Sequence, residues 1–334
     1  MVGGDDASRV VMYCGSGVTA CHNLLALEHA GLPGARYVSL DAHLSGAKTG
    51  TNGRHPLPAP ALAAASFASL GVSRNAQVVV YDADLGMFAA RAWWMLRWLG
   101  HDRVAVLDGG LAAWQRAGLP VTAVEEAWTP AVFEAAPEDA QRVPADDVHA
   151  HLGDAGRVLV DARANERFRG QNETLDPVGG HIPGAVNRFF QLNLTPDKTF
   201  KAPAELRAEW ASVVGGDDAS RVVMYCGSGV TACHNQLALE HAGLHGARLF
   251  PGSWSEWCAV PERPRATGDL GLGLGARGSG LGRAGCHARK VTRPKSRFAA
   301  ARRCSEAANT LGTRRRPLFF APPSPGPRAP SPAP

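Results

Sequence analysis

Cys226-Gly-Ser-Gly-Val-Thr-Ala232 is the stretch of this chain best suited to covalent chemistry. A cysteine followed by two glycines and a serine can curl its backbone around the sulfur, with main-chain N–H groups at a helix start surrounding it. That setting favours the thiolate, the nucleophilic form. A cysteine that only filled a core would sit within a strand, not at the end of one beside two glycines. A phosphate-transferring cysteine would need an arginine six positions on, and Ala232 stands there. Ser228 can donate to or accept from a substrate, while Gly227, Gly229, Val230 and Thr231 supply the cradle.

The loop occurs twice, as Cys14-Gly-Ser-Gly-Val-Thr-Ala-Cys21 and as Cys226-Gly-Ser-Gly-Val-Thr-Ala-Cys233. Residues 2–36 match 214–248 everywhere except Leu24 against Gln236 and Pro33 against His245. Ancient repeats keep hydrophobic pattern and turn glycines while surface residues drift. Here Asp5, Asp6, Arg9 and Glu28 are kept too, which points to recent duplication by recombination or sequence assembly, joined at the shared Gly-Ala-Arg triplet. Downstream the copies part: Arg36 runs into Tyr37-Val-Ser-Leu-Asp41, Arg248 into Leu249-Phe-Pro-Gly-Ser-Trp-Ser-Glu-Trp257. Cys14 has the loop without companions, so the expectation is a structural patch around Cys14 and one productive site at Cys226.

The elements that must hold these loops read as α/β. Strand Gln77–Asp82, helix Ala89–Leu99, strand Arg103–Asp108 and a helix from Leu111 alternate, and so do strand Arg221–Tyr225, helix Thr231–Ala242 and strand Ala247–Phe250. Such alternation predicts mainly parallel sheets flanked by helices, in two diverged copies of one domain. In the first copy Tyr81-Asp82 falls where Tyr225-Cys226 falls in the second, so aspartate replaces the reactive cysteine. The expected divisions are 1–36, the duplicated fragment; 37–123, a truncated domain; 124–143, a linker; 144–268, the domain with the reactive loop; and 269–334, a basic Pro/Arg-rich disordered tail.

Composition limits the alternatives. The 334 residues are 45% hydrophobic, enough for two cores, with no apolar run of membrane-spanning length. Nothing at the start resembles a secretory signal. The formal charge of +5 is concentrated in residues 269–334, where 13 Lys and Arg face only Asp269 and Glu306. The remainder is mildly acidic, so neither nucleic acid nor membrane is an expected partner. Seven cysteines form no disulfide framework and fit a reducing, cytoplasmic setting. Cys226-x6-Cys233-His234 is not a zinc spacing, and no metal is expected.

Val160-Asp-Ala-Arg163, Arg167-Phe-Arg-Gly170, Gly180-His-Ile-Pro-Gly-Ala185, the Cys226 loop and Gly252-Ser-Trp-Ser-Glu-Trp257, in this order, resemble the catalytic half of a tandem-domain rhodanese. Residues 37–123 are similar to that family's inactive first domain, with Leu32-Pro-Gly-Ala-Arg36 as the remnant of its Ile-Pro-Gly-Ala-Arg segment. The Cys-Gly-Ser-Gly form is the one associated with 3-mercaptopyruvate sulfurtransferases. The resemblance implies sulfur transfer from 3-mercaptopyruvate through a Cys226 persulfide to a thiol, a thioredoxin-like reductant or cyanide, without a cofactor. Thiosulfate is the alternative donor, and a defective module that only binds or carries sulfur is the alternative from another class. Arg167 matches the family's carboxylate-binding arginine. The family's second arginine, before Gly-His-Ile-Pro-Gly, is missing here, leaving Arg169 or Arg188 to compensate. Asp41 and His55 are implied to reach from the first domain toward Ser228 as a proton relay.

Overall fold

Among the described residues two parallel sheets underlie the two domains that meet at the cysteine loop. A computed structural model describes residues 9–15, 31–83, 85–124, 127–268 and 319–320. The first sheet is built from β1 (Arg9–Gly15), β2 (Ala35–Ser39), β3 (Gln77–Asp82), β4 (Val104–Leu107) and β9 (Phe319–Phe320), in the order β2-β1-β3-β4-β9. The second contains β5 (Val158–Asp161), β6 (Val186–Asn187), β7 (Val222–Tyr225) and β8 (Arg248–Leu249), in the order β6-β5-β7-β8. Every ladder is parallel. Strands buried on both faces read as unbroken apolar runs, as Val104-Ala-Val-Leu107 and Val222-Val-Met-Tyr225 do.

The duplicated strand sequence occupies two different places. In the second sheet Val222-Val-Met-Tyr225 provides β7, between β5 and β8. In the first sheet Arg9-Val-Val-Met-Tyr13 lies between β2 and β3, pairing Val11 with Ala35 and with Val79. It therefore stands where β5 stands in the second sheet. A short apolar strand has no preference among interior positions of a parallel sheet; what it is connected to decides. The Cys14 side chain and residues 16–30, with the helix expected there, lie outside the described residues. So does the segment read as a tail, apart from β9, which extends the edge of β4 and sets the Phe319 ring 4.7 Å from Phe200 and 4.4 Å from His241.

The two halves repeat each other in detail. Tyr81 Oη at the end of β3 accepts the Leu32 N–H at 2.9 Å, and Tyr225 Oη at the end of β7 accepts the Ile182 N–H at 3.2 Å. Each tyrosine thus ties down its Leu/Ile-Pro-Gly-Ala turn. The Gly31–Thr122 and His181–Ala266 bridges close the two domains in the same way.

Helices α1 (Pro60–Ser69), α2 (Met87–Trp98) and α3 (Gly110–Arg116) flank the first sheet. Helices α4 (Ala145–Ala150), α5 (Asn165–Phe168), α6 (Pro203–Val214), α7 (Thr231–His241) and α8 (Ser253–Trp257) belong to the second. Helix α2 starts two residues before the expected Ala89. The Asp82 carboxylate explains this, accepting the N–H groups of Gly86 and Phe88 at 2.9 Å and of Ala89 at 3.1 Å. A carboxylate on the orphan donors of a helix start is a strong cap. Beginning β7 at Val222 also departs from the expected Arg221, because Ala219–Arg221 forms a 3-10 turn on the Asp218 side chain.

Helix α2 is apolar almost all round, with Trp93, Trp94 and Trp98 each at most 3% exposed, because it is covered by β3 and β4 on one side and α7 on the other. One continuous hydrophobic cluster runs from Val78 and Trp93 through to Ala232 and Leu237, so the domains share a core. That shared core fixes which first-domain residues can reach Cys226. No helix among the described residues is long and apolar enough to cross a membrane.

Candidate active site

Cys226 follows directly on β7, and its loop leads into α7, the strand, turn and helix order expected. The residue is 2% exposed, and the Gly229 N–H points at its sulfur from 3.1 Å. Gly229 has φ +78°, and a Cβ built there would stand 2.2 Å from the Pro251 carbonyl oxygen, so no side chain fits. Val230 is the N-cap of α7 and Thr231 its first residue, with no side-chain cap to compete for the N–H groups facing the loop.

Gly252-Ser-Trp-Ser acts as a brace for this loop. The Cys226 N–H donates to Ser253 Oγ at 3.1 Å, and Ser253 Oγ donates to the Phe250 carbonyl at 2.9 Å. Trp254 N–H donates to the Cys226 carbonyl and Ser255 N–H to the Gly227 carbonyl, both at 2.9 Å. Ser253 does this from φ +56°, a conformation costing a non-glycine residue about 1–2 kcal/mol, held in place by these bonds.

The first domain contributes His55, Arg91 and Arg54, with Asp41 behind the histidine. His55 Nδ1 lies 2.8 Å from Ser228 Oγ, and His55 Nε2 lies 4.0 Å from Asp41 Oδ1, which also meets Lys48 Nζ at 3.1 Å. Burial pushes the His55 imidazole down to about 4, with Asp41 opposing and Arg91, Arg54 and Lys48 adding to the shift. The ring is therefore neutral near pH 7, with one nitrogen able to accept from Ser228. Arg91 is a lone buried cation on α2. It donates to the carbonyls of Gly229 at 3.1 Å, Leu44 at 3.2 Å and His55 at 3.1 Å, so it joins the cysteine loop to the histidine loop. Burial lowers its ordinary value while Cys233 and Cys226 work the other way.

Arg54 is the third. A Cβ built on Gly227 would stand 2.8 Å from Arg54 Nη2, 3.5 Å from Arg167 Nη2 and 3.7 Å from Arg167 Nη1, which puts two guanidiniums over the loop. Arg54 is also held to the brace, its N–H donating to Ser255 Oγ at 3.0 Å. Among the described residues no group of three or more His, Cys, Asp or Glu is placed to hold a metal.

A rhodanese-like domain matches residues 30–117 and again 144–260. The chain belongs to the rhodanese family of sulfurtransferases. Over 240 residues this rhodanese is 48% identical to the probable 3-mercaptopyruvate sulfurtransferase of Pseudomonas aeruginosa, covering 71% of the chain and 84% of that protein. It is 42% identical over 247 residues to a putative thiosulfate sulfurtransferase, SseB, of Mycobacterium tuberculosis, at 71% and 83% coverage. The crystal structure of SseA from Escherichia coli, a 3-mercaptopyruvate sulfotransferase, superposes with a TM-score of 0.65 at 31% identity, over 75% of this chain and 94% of that one.

In this rhodanese the anticipated Cys226, Ser228, His55, Asp41, Arg167, Gly227, Gly229, Val230 and Thr231 converge on one loop, with Asp41 the outermost, its side chain 43% exposed. Of Arg169 and Arg188, the two residues expected to compensate for the missing arginine, Arg188 is engaged elsewhere. Its guanidinium is paired with Glu209 and lies 5.3 Å over the Trp210 ring, part of the packing beneath the site. Arg54, from the other domain, occupies the place beside Arg167 instead. Sequence reading passed over Arg54, although it precedes His55 directly in Gly53-Arg-His-Pro56. It also passed over Arg91, whose signal was a single charge inside the apolar Ala89-Ala-Arg-Ala-Trp-Trp94.

Proposed function

We propose that this rhodanese takes sulfur from 3-mercaptopyruvate, releases pyruvate and passes the sulfur to a thiol acceptor, of which a thioredoxin-like dithiol is one kind and cyanide the simplest substitute. The Cys226 thiolate attacks the donor sulfur; the S–S bond of a Cys226 persulfide forms as the donor C–S bond breaks. The proton of the donor thiol ends on the methyl carbon of pyruvate, so the step balances without oxidant or reductant. An acceptor thiolate then attacks the outer sulfur and returns Cys226 to the thiolate.

The observation that carries this reading is the 2.8 Å contact between His55 Nδ1 and Ser228 Oγ beside the Cys226 loop. A carbon leaving group must be protonated as it departs, and a serine hydroxyl backed by a neutral histidine can pass that proton. Sulfite, the leaving group from thiosulfate, departs as a stable anion and needs no such relay. Arg54 Nη2 and Arg167 Nη1 face Gly227 and suit the keto-acid carboxylate, as guanidiniums bind carboxylates by paired N–H groups.

The test is pyruvate release from 3-mercaptopyruvate and thiocyanate formation from thiosulfate plus cyanide, for the wild type, Cys226→Ser and Cys14→Ser. The reading expects the larger kcat/KM with 3-mercaptopyruvate, loss of turnover in Cys226→Ser, and near-normal turnover in Cys14→Ser. Full activity in Cys226→Ser, or a clear preference for thiosulfate, overturns it.

A further inference from the structure

Asp176 lies in the segment Asn172-Glu-Thr-Leu-Asp-Pro-Val178, which runs past the cysteine loop. Its side chain is only 2% exposed, and its two oxygens bridge the domains: Oδ1 pairs with Arg54 Nη1, and Oδ2 accepts from Arg167 Nη2 at 3.2 Å. Glu173 takes the remaining edge of Arg167, accepting from Nε at 3.0 Å and from Nη2 at 2.8 Å. Glu173 is in turn held by the N–H groups of Leu175 and Asp176. Arg54 and Arg167 therefore meet the donor with two carboxylates already on them. The four groups carry no net charge, although each guanidinium keeps a nitrogen turned to Gly227.

A site meant only to attract anions would leave these cations unbalanced. We infer that Asp176 sets the charge preference of the donor site, disfavouring dianionic sulfane donors such as thiosulfate against a donor with a single carboxylate and a neutral thiol. The inference rests on the donor-site reading above, in which Arg54 and Arg167 receive the donor's anionic group. Coulomb repulsion scales with the charge of the incoming molecule, so the Asp176 carboxylate costs a dianion twice what it costs a monoanion. The two guanidiniums bridged by Asp176 also stay in place for the keto-acid carboxylate, which needs direction more than charge. Asp176 is a positioning and selectivity residue; it acts through the arginines.

The experiment measures kcat and KM for both donors in the wild type, Asp176→Asn and Arg54→Gln, at low and at high salt. Asp176→Asn keeps the shape and removes one negative charge. Its thiosulfate-to-mercaptopyruvate ratio of kcat/KM is expected to rise about tenfold, mostly through KM for thiosulfate, with the gain shrinking at high salt. Arg54→Gln, whose side chain is 29% exposed and which removes a cation, should move the ratio the opposite way. A purely structural Asp176 would lower both donors in parallel. An unchanged or falling ratio in Asp176→Asn, or a rising one in Arg54→Gln, overturns the inference. If Asp176→Asn does not fold, the Arg54→Gln ratio decides alone. The wild-type ratio tests which donor is preferred, and the shift of that ratio tests Asp176, so the two failures are told apart.

Discussion

Arg91→Met should separate the reactivity of Cys226 from the stability of the fold. The guanidinium is fully buried and bonded to three carbonyls, at 3.1, 3.2 and 3.1 Å. Losing three charge-assisted bonds costs about 1.5–3 kcal/mol each before compensation. Removing a buried cation returns several kcal/mol of desolvation. These opposing contributions leave a net stability change on the order of 2 kcal/mol, a melting shift of a few degrees in a domain of this size. Reactivity has no such compensation. A unit positive charge one contact beyond the loop, at an effective dielectric of about 20, attracts negative charge there by about 2 kcal/mol, so its removal should slow alkylation roughly thirtyfold. The assay is the second-order rate of Cys226 alkylation by iodoacetamide near neutral pH, read by mass spectrometry, alongside kcat/KM and a melting curve. Arg91→Lys keeps the charge with poorer reach and should recover much of the rate. Alkylation of Arg91→Met within about threefold of wild type, or equal losses in the Met and Lys variants, would refute the charge argument.

Replacing His55 with Gln should lower kcat for 3-mercaptopyruvate by about 100-fold, the lower end for a lost acid–base group. KM should change little and thiosulfate turnover should be spared; equal loss for both donors contradicts the relay. The same variant reports on pH. A histidine held near 4 when folded and near 6.5 when unfolded binds fewer protons in the native state. Its contribution is thus complete above about pH 6.5 and fades as pH falls toward 4, up to about 3 kcal/mol in total. Chemical denaturation of His55→Gln should show a flatter loss of stability between pH 6.5 and 4 than wild type, the difference cancelling the same-signed contribution of buried His234. A matching slope would mean His55 is not held neutral. Gly229→Ala should lose more than about 3 kcal/mol or fail to fold, since the new methyl would meet the Pro251 carbonyl at 2.2 Å with backbone that cannot yield. A soluble variant melting within a few degrees of wild type would show that the loop can relax.

The reach of the sequence follows the range of the interactions concerned. Val222-Val-Met-Tyr225, the glycines after Cys226 and the helix beyond are contiguous, so the pattern names them with only end residues in error. Those errors trace to side-chain caps: Asp82 draws α2 two residues earlier, and Asp218 turns Ala219–Arg221 out of the strand. His55 and Asp41 were legible through family resemblance, because a histidine between arginine and proline says little alone. The second guanidinium was sought among Arg169 and Arg188, near Arg167 in sequence, whereas the chain supplies it from position 54 in the other domain.

The amino-acid order was enough to establish a cysteine at the end of a parallel strand before a glycine-rich loop, two α/β domains of one kind, and an aspartate in place of cysteine in the first. Each is a property of neighbours along the chain, where backbone geometry and periodicity operate. Tertiary packing brings Arg54, His55 and Arg91 to a loop more than 130 residues away, sets Asp176 across two arginines, and gives Arg9–Gly15 an interior place in the first sheet. Those outcomes depend on which buried surfaces fit one another. The same loop sequence stands at Cys14 and at Cys226, but Cys14 lies within β1 while Cys226 follows the end of β7, where two arginines, a histidine and the brace converge.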